Sequence, residues 1–452
     1  MIRFSLVLSM CFLYILEAFV PSMYIGFIFN LVAVATFFAF LPLLEQKGRI
    51  FTLSLFISGV LIHYTVGDHG IQLVQGITQN MALLSILILA PLLSVPLKKE
   101  GVINTVIMYL KELKNNPRNT FYGISSFMLT LAPILNMGAL RIVHGFVESI
   151  KFPSRLLSRS YIVGFTPAVI WSPFFASVGI VLFYLDITYL SYVAIGVSFA
   201  VMQMAMGIFL FRPGPAEEAV SVEKRKGNTR VQKGSIRDIY ILIGFVMGLV
   251  MLLIVMEQVF HKSMLLLVSI VCIMVPAGWV ILRNKTSIVK EEISIYKTRI
   301  LSQKIEICLF LSAGLFGNAV SHTPVKQLLE RTMQWSATQS IGLLFLLIIL
   351  LVTFMAFLGV HQIIIIPLIL TSLNFAEMPN IAVTSVAFMC IFTWMLSAAI
   401  SPLNALNIII SQCVQKNGVT VAFRWNGIYF LSVTLIAFAY VYILNWLGGL
   451  TP

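Results

Sequence analysis

Two Ser-Pro pairs, Ser172-Pro173 and Ser401-Pro402, each stand in the middle of a long apolar run. Proline removes a backbone N–H and crowds the turn before it, so each pair predicts a broken helix. Upstream of the first lies Leu131-Ala132-Pro133-Ile134-Leu135-Asn136-Met137-Gly138, and upstream of the second lies Phe357-Leu358-Gly359-Val360-His361-Gln362. Asn404 follows the second pair in Ile400-Ser401-Pro402-Leu403-Asn404-Ala405. Asn136, Ser172, Gln362, Ser401 and Asn404 carry neutral oxygens that suit a sodium ion, and donors that suit a carboxylate. The same groups can instead cap the broken helices. Freed helix N-termini favour anions, while unwound carbonyls favour cations.

Charged residues near these segments are few. His361 is a candidate proton carrier or anion donor; the alternative is a neutral imidazole bonded to a carbonyl. Arg141, on one helical face with His144, is a candidate partner for an anion; the alternative is a side chain snorkelling to the surface near Lys151. Acidic residues fall near predicted span ends (Glu17, Asp186, Glu257, Glu306), so a carboxylate relay is poorly supported. Gly67-Asp68-His69-Gly70 pairs an acid with an imidazole but supplies no further metal ligand, and reads as a turn.

The elements that position these residues follow from composition. The 452 residues are 59% hydrophobic and only 10% charged, with a mean hydropathy of +0.97. A soluble domain keeps about a quarter of its residues charged, so the surrounding solvent here is largely lipid. Backbone groups in lipid must pair internally, which leaves helices or a closed barrel. Runs of about 20 apolar residues without alternation are helices. Five scattered cysteines, Cys11, Cys272, Cys308, Cys390 and Cys413, offer neither a disulfide framework nor a zinc pattern. Arg3 and the apolar stretch after it read as a retained first span, since no small-residue cleavage pattern follows.

Apolar runs lie near 4–20, 23–43, 50–66, 79–97, 159–185, 187–211, 239–257, 263–282, 304–320, 381–412 and 427–449. Regions 120–147 and 339–373 read either as spans or as re-entrant hairpins. With both as hairpins, about 26 of the 30 Lys and Arg fall on one side, which by the positive-inside rule is cytoplasmic. If 120–147 crosses once, the basic loop from Lys224 to Arg237 moves outside and the bias is largely lost. The expected fold is therefore an all-α polytopic membrane protein with about eleven spans and two opposed re-entrant hairpins. The N-terminus is expected inside a cytoplasmic membrane and the C-terminus outside. The same bias accounts for the net charge of +13 without any nucleic-acid partner. Segments 323–338 and 102–116 read as amphipathic interfacial arms bracing the hairpins.

The halves correspond: 1–211, with a hairpin at 120–147 and a broken helix at 159–185, and 239–452, with a hairpin at 339–373 and a broken helix at 381–412. A basic linker, 212–238, joins them. An odd number of crossings separates equivalent elements, so the repeat is inverted, and paired breaks in inverted repeats point to a transporter's midplane site. This layout resembles the ion transporter superfamily, whose divalent anion/sodium symporters and citrate/arsenite permease-like carriers share such repeats. The resemblance implies a secondary transporter for a small, carboxylate-like organic anion, coupled to Na+ or H+ by alternating access, and a homodimer in membrane lipid. No resident cofactor is expected beyond a possible coupling Na+. The Ser-Asn-Thr motifs that the family places at tips and breaks are absent here. Pro133 to Asn136, Ser172-Pro173, Gly359 to Gln362, and Ser401-Pro402 with Asn404 stand in their place.

Other classes are less well supported. A lipid-phosphate flippase on the same fold is allowed by Arg141 and the basic loops. A membrane-embedded enzyme lacks its motifs: there is no His-Glu-x-x-His, no paired intramembrane aspartates and no nucleophile elbow. No Gly-rich Lys-Ser/Thr loop is present for ATP.

Overall fold

The computed structural model describes residues 2–101, 116–148, 152–214, 236–375, 378 and 380–448, with helices and connections but no strand among them. In chain order the helices are α1 Ile2–Phe19, α2 Met23–Phe40, α3 Gln46–Val66 and α4 Met81–Lys99. Then come α5 Pro117–Leu135, α6 Met137–Val147, α7 Ser154–Trp171, α8 Ala176–Leu185 and α9 Tyr189–Leu210. They are followed by α10 Ile236–Phe260, α11 Met264–Leu282, α12 Val289–Ser302, α13 Lys304–Val320 and α14 Pro324–Gln339. The last are α15 Ile341–Phe357, α16 Gln362–Thr371, α17 Val383–Ile400, α18 Ala405–Val414 and α19 Gly427–Gly448.

Ten helical segments among the described residues are long and apolar enough to cross a membrane. An eleventh apolar run, 304–320, is the 17-residue α13, which meets α12 at a bend of 56°. The chain is a multi-pass α-helical membrane protein. The polar stretch between the runs 263–282 and 304–320 is largely the helix α12; Glu291 and Glu292 in its first turn and Arg299 in its last complement the helix dipole. The arm expected at 323–338 is α14. The arm expected at 102–116 and the linker at 212–238 lie mostly outside the described residues.

Two compact units draw on both halves of the sequence. One comprises Met1–Val95, Leu265–Gln334 and Ile363–Asn374; the other comprises Pro96–Met264, Trp335–Gln362 and Phe375–Pro452. In the first, α3 packs along α13, and Gly59 lets the backbones approach, since a Cβ there would press on Leu315 and Phe316. Hydrogen bonds tie α4 and the turn before it to this bundle: Tyr296 Oη donates to Ile88 O (2.8 Å) and Asn80 Nδ2 to Phe310 O (3.3 Å). In an apolar solvent such contacts and close packing replace the hydrophobic effect as the cause of helix association.

The second unit is built around two broken helices, α7/α8 and α17/α18. Their most apolar stretches are 72% and 83% buried, so these segments form its centre although their composition would equally suit lipid. The first arms are both 18 residues long and the second arms both 10. The residues that end them, Asp186 and Gln415, are both left-handed, with φ of 51° and 53°. Helix α5 packs on α7 as α15 packs on α17, and α9 packs on α7 as α19 packs on α17. The unit thus contains two sets of helices with the same arm lengths and the same packing partners. Arm α8 packs on α17 while α18 packs on α7.

Candidate functional site

Each break is a Ser-Pro turn with the same backbone and the same bonds. Ser172 has φ −74° and ψ 130°, and Ser401 has φ −72° and ψ 123°. Proline supplies no N–H at the next position, so the serine Oγ accepts from the residue after it: Phe174 N and Leu403 N, both at 3.3 Å. The serine carbonyls accept from Phe175 N (3.1 Å) and Asn404 N (3.2 Å). Each hydroxyl also donates to a hairpin: Ser172 Oγ to Pro133 O at 3.3 Å, and Ser401 Oγ to Ala356 O at 2.8 Å.

Those two acceptors are equivalent. Each lies in the last turn of the helix before a tip, where carbonyls lack their usual i+4 partner; Ala356 O also accepts from Gly359 N at 3.1 Å. Each also lies just before a tip residue with positive φ: Asn136 (φ 50°, ψ −135°) and Gly359 (φ 86°). A left-handed tip residue ends α5 and α15 in the same manner, although one tip uses asparagine and the other glycine. Region 120–147 is therefore two helices, turned at Asn136 and packed together, not one straight span. In region 339–373, residues 358–361 separate α15 from α16.

Most of the carbonyls freed by the breaks are paired as well; among the described residues Ala398 O, which loses its N–H partner to Pro402, accepts no hydrogen bond. In the first half, Tyr189 Oη donates to Trp171 O (2.8 Å), Tyr192 Oη to Ile170 O (3.0 Å) and Ser177 Oγ to Val169 O (2.9 Å). In the second half, Asn407 Nδ2 donates to Ala399 O at 3.0 Å and Ile400 O at 3.4 Å.

The halves differ at the N-termini of the second arms. Asn404 Oδ1 caps α18 by accepting from Leu406 N (3.3 Å). Phe175, its counterpart, gives α8 no side-chain cap. The first N–H groups of a helix have no intrahelical acceptor, and those of α8, flanked by buried Phe174 and Ser177, meet no side-chain cap among the described residues. At the first tip, Asn136 Oδ1 accepts from Met137 N (2.8 Å), and its Nδ2 makes no hydrogen bond among the described residues.

At the second tip the predicted residues join one network. Asn404 Nδ2 donates to Gln362 Oε1, and Gln362 Nε2 donates to Ser397 Oγ, both at 2.9 Å. His361 lies against Trp394, ring centroids 6.1 Å apart and nearly perpendicular. Pro173 and Pro402 sit inside the two turns. Arg141 is exposed and forms no ion pair among the described residues. His144, on the same face, pairs with Tyr161 Oη at 3.0 Å.

One buried cluster escaped the sequence reading. Gln203 Nε2 donates to Thr166 Oγ1 (2.9 Å), which lies 3.3 Å from Tyr429 Oη, while Gln203 Oε1 is buried without a partner. The available signal was Gln203 itself, an amide in the otherwise apolar run 187–211, where a polar group is costly unless used. Among the described residues no group of three or more His, Cys, Asp or Glu is arranged to hold a metal ion.

No known family model matches the chain, and no curated protein matches it in sequence.

Proposed function

We propose that the protein is a secondary active transporter, not an enzyme, that carries a small organic anion of the carboxylate class through a cytoplasmic membrane by alternating access. Transport is coupled to a Na+ or H+ gradient. The N-terminus lies inside and the C-terminus outside, so that the two hairpins enter from opposite sides.

One observation carries this reading: two matched breaks sit in the centre of one unit, and most of their carbonyls accept side-chain hydrogen bonds while the N-terminus of α8 has no side-chain cap. Val169, Ile170, Trp171, Ala399 and Ile400 already accept side-chain hydrogen bonds, so these five carbonyls offer little to a cation. The α8 N-terminus and Asn136 Nδ2 present the positive end of a helix and an amide donor, the chemistry that holds a carboxylate. Partner residues without formal charge suit a substrate that must also leave.

The test is uptake of labelled mono-, di- and tricarboxylates by the purified protein in liposomes, under an imposed sodium gradient, a proton gradient, or neither. Asn136→Gly removes the amide while easing the left-handed backbone, so the variant should stay folded and lose most uptake. Gradient-driven uptake that Asn136→Gly leaves intact would move the anion away from this tip. Absence of uptake under every gradient would rule against a carboxylate carrier.

A further inference from the structure

The first unit holds a pair of histidines that the transport reading does not use. His63, in the last turn of α3, is 1% exposed, and its Nδ1 lies 2.7 Å from Asp68 Oδ2. Gly67, left-handed at φ 103°, turns the chain so that Asp68 folds back over this helix end. A carboxylate only accepts, so Nδ1 carries the proton and Nε2 presents its lone pair. That Nε2 is buried and has no partner among the described residues. Asn318, near the end of α13, also has a buried Oδ1 without a partner. His322 follows one turn later, exposed, with its ring centroid 6.1 Å from that of His63.

We propose that His63 and His322 form a site for a transition-metal ion of the zinc class. Asp68 holds His63 in the metal-binding tautomer, and Asn318 stands one helical turn before His322 with a buried, unpartnered oxygen. A carboxylate behind a ligating imidazole is the usual outer-shell arrangement in zinc sites, where it fixes the ring and raises its basicity. With zinc–nitrogen bonds of about 2.0–2.1 Å, two imidazoles on one tetrahedral ion have centroids roughly 5 Å apart. The exposed His322 must therefore move by about 1 Å, a rotamer adjustment, while His63 stays fixed. No third His, Cys, Asp or Glu is placed as a direct ligand among the described residues, so water completes the shell and the site is open rather than structural. A bound ion would join the end of α3 to the end of α13.

Untagged full-length protein in detergent, titrated with Zn2+ alone in a calorimeter, tests the site. The wild type should bind one equivalent at micromolar concentrations. His322→Ala, at an exposed position, should abolish this binding without changing the metal-free thermal unfolding. Asp68→Asn should weaken it about 10–100-fold. His69→Ala, next to Asp68 but directed at Tyr64, should bind as the wild type does. Failure of the wild type to bind zinc, or binding unchanged by both His322→Ala and Asp68→Asn, overturns the proposal. Because His322 and Asp68 carry the test, it stands even if His63→Ala does not fold.

Discussion

Ser401 Oγ lies 2.8 Å from the carbonyl oxygen of Ala356, and that hydrogen bond joins the second break to the second hairpin. Its counterpart, Ser172 Oγ to Pro133 O, does the same in the first half at 3.3 Å. Both serines are fully buried and both hydroxyls also accept from the turn, so their first role is to hold break and tip together. Removing either hydroxyl takes one donor from a carbonyl near a tip, of which Ala356 O keeps Gly359 N at 3.1 Å, and leaves an N–H short of an acceptor, at about 1–3 kcal/mol. Ser401→Ala should lower the thermal midpoint in detergent more than Ser172→Ala, because Ser401 makes the shorter bond. The reverse order would mean that the hydroxyls act chiefly at some other contact.

Gln362 links two elements that sequence separates, Ser397 in α17 and Asn404 at the head of α18. A double-mutant cycle of Gln362→Ala and Asn404→Ala should give a coupling energy of about 0.5–3 kcal/mol, as bonded neighbours do. Additive single effects would show that the amide–amide bond contributes nothing measurable.

Helix α5 reaches α7 only because residue 164 has no side chain. A Cβ on Gly164 would press on Ser125 O, Ser125 Cα and Met128 Cβ, two of them backbone atoms that cannot turn aside. Gly164→Ala should therefore destabilise by about 1–3 kcal/mol or more, despite alanine's better helix propensity. Gly244→Ala meets open space and serves as the control, with little change expected in unfolding midpoint.

Glu257 is buried, and both of its carboxylate oxygens accept from Tyr189 N at 3.0 Å, capping α9 from the neighbouring α10. Glu257→Ala should cost about 0.5–2 kcal/mol as a lost cap, read by chemical or thermal unfolding. Because Tyr189 and Tyr192 at the start of α9 hold the carbonyls of the first break, uptake should fall along with stability. Lower stability with full uptake would uncouple the cap from the break.

Much of this was legible from residue order. Apolar length marked the spans because lipid leaves a backbone no partner but itself. The prolines marked both breaks because a missing N–H is a local fact, and the basic residues favoured a hairpin over a straight span at 120–147. The repeated Ser-Pro pairs even placed equivalent residues in register. Side-chain partners were not legible in this way, because each depends on what a distant helix brings alongside.

Sequence alone made Asn136, Gln362 and Arg141 all candidates for a site. Tertiary packing separated them. It left the Asn136 amide open, bound Gln362 to Asn404 and Ser397, and put Arg141 at the surface. It assigned most of the freed carbonyls to Tyr189, Tyr192 and Asn407, and it brought Gln203 to Thr166 and His63 to His322. Local chemistry determines where a membrane helix must break. Only the three-dimensional arrangement decides which freed groups find a partner inside the protein and which stay available to a ligand.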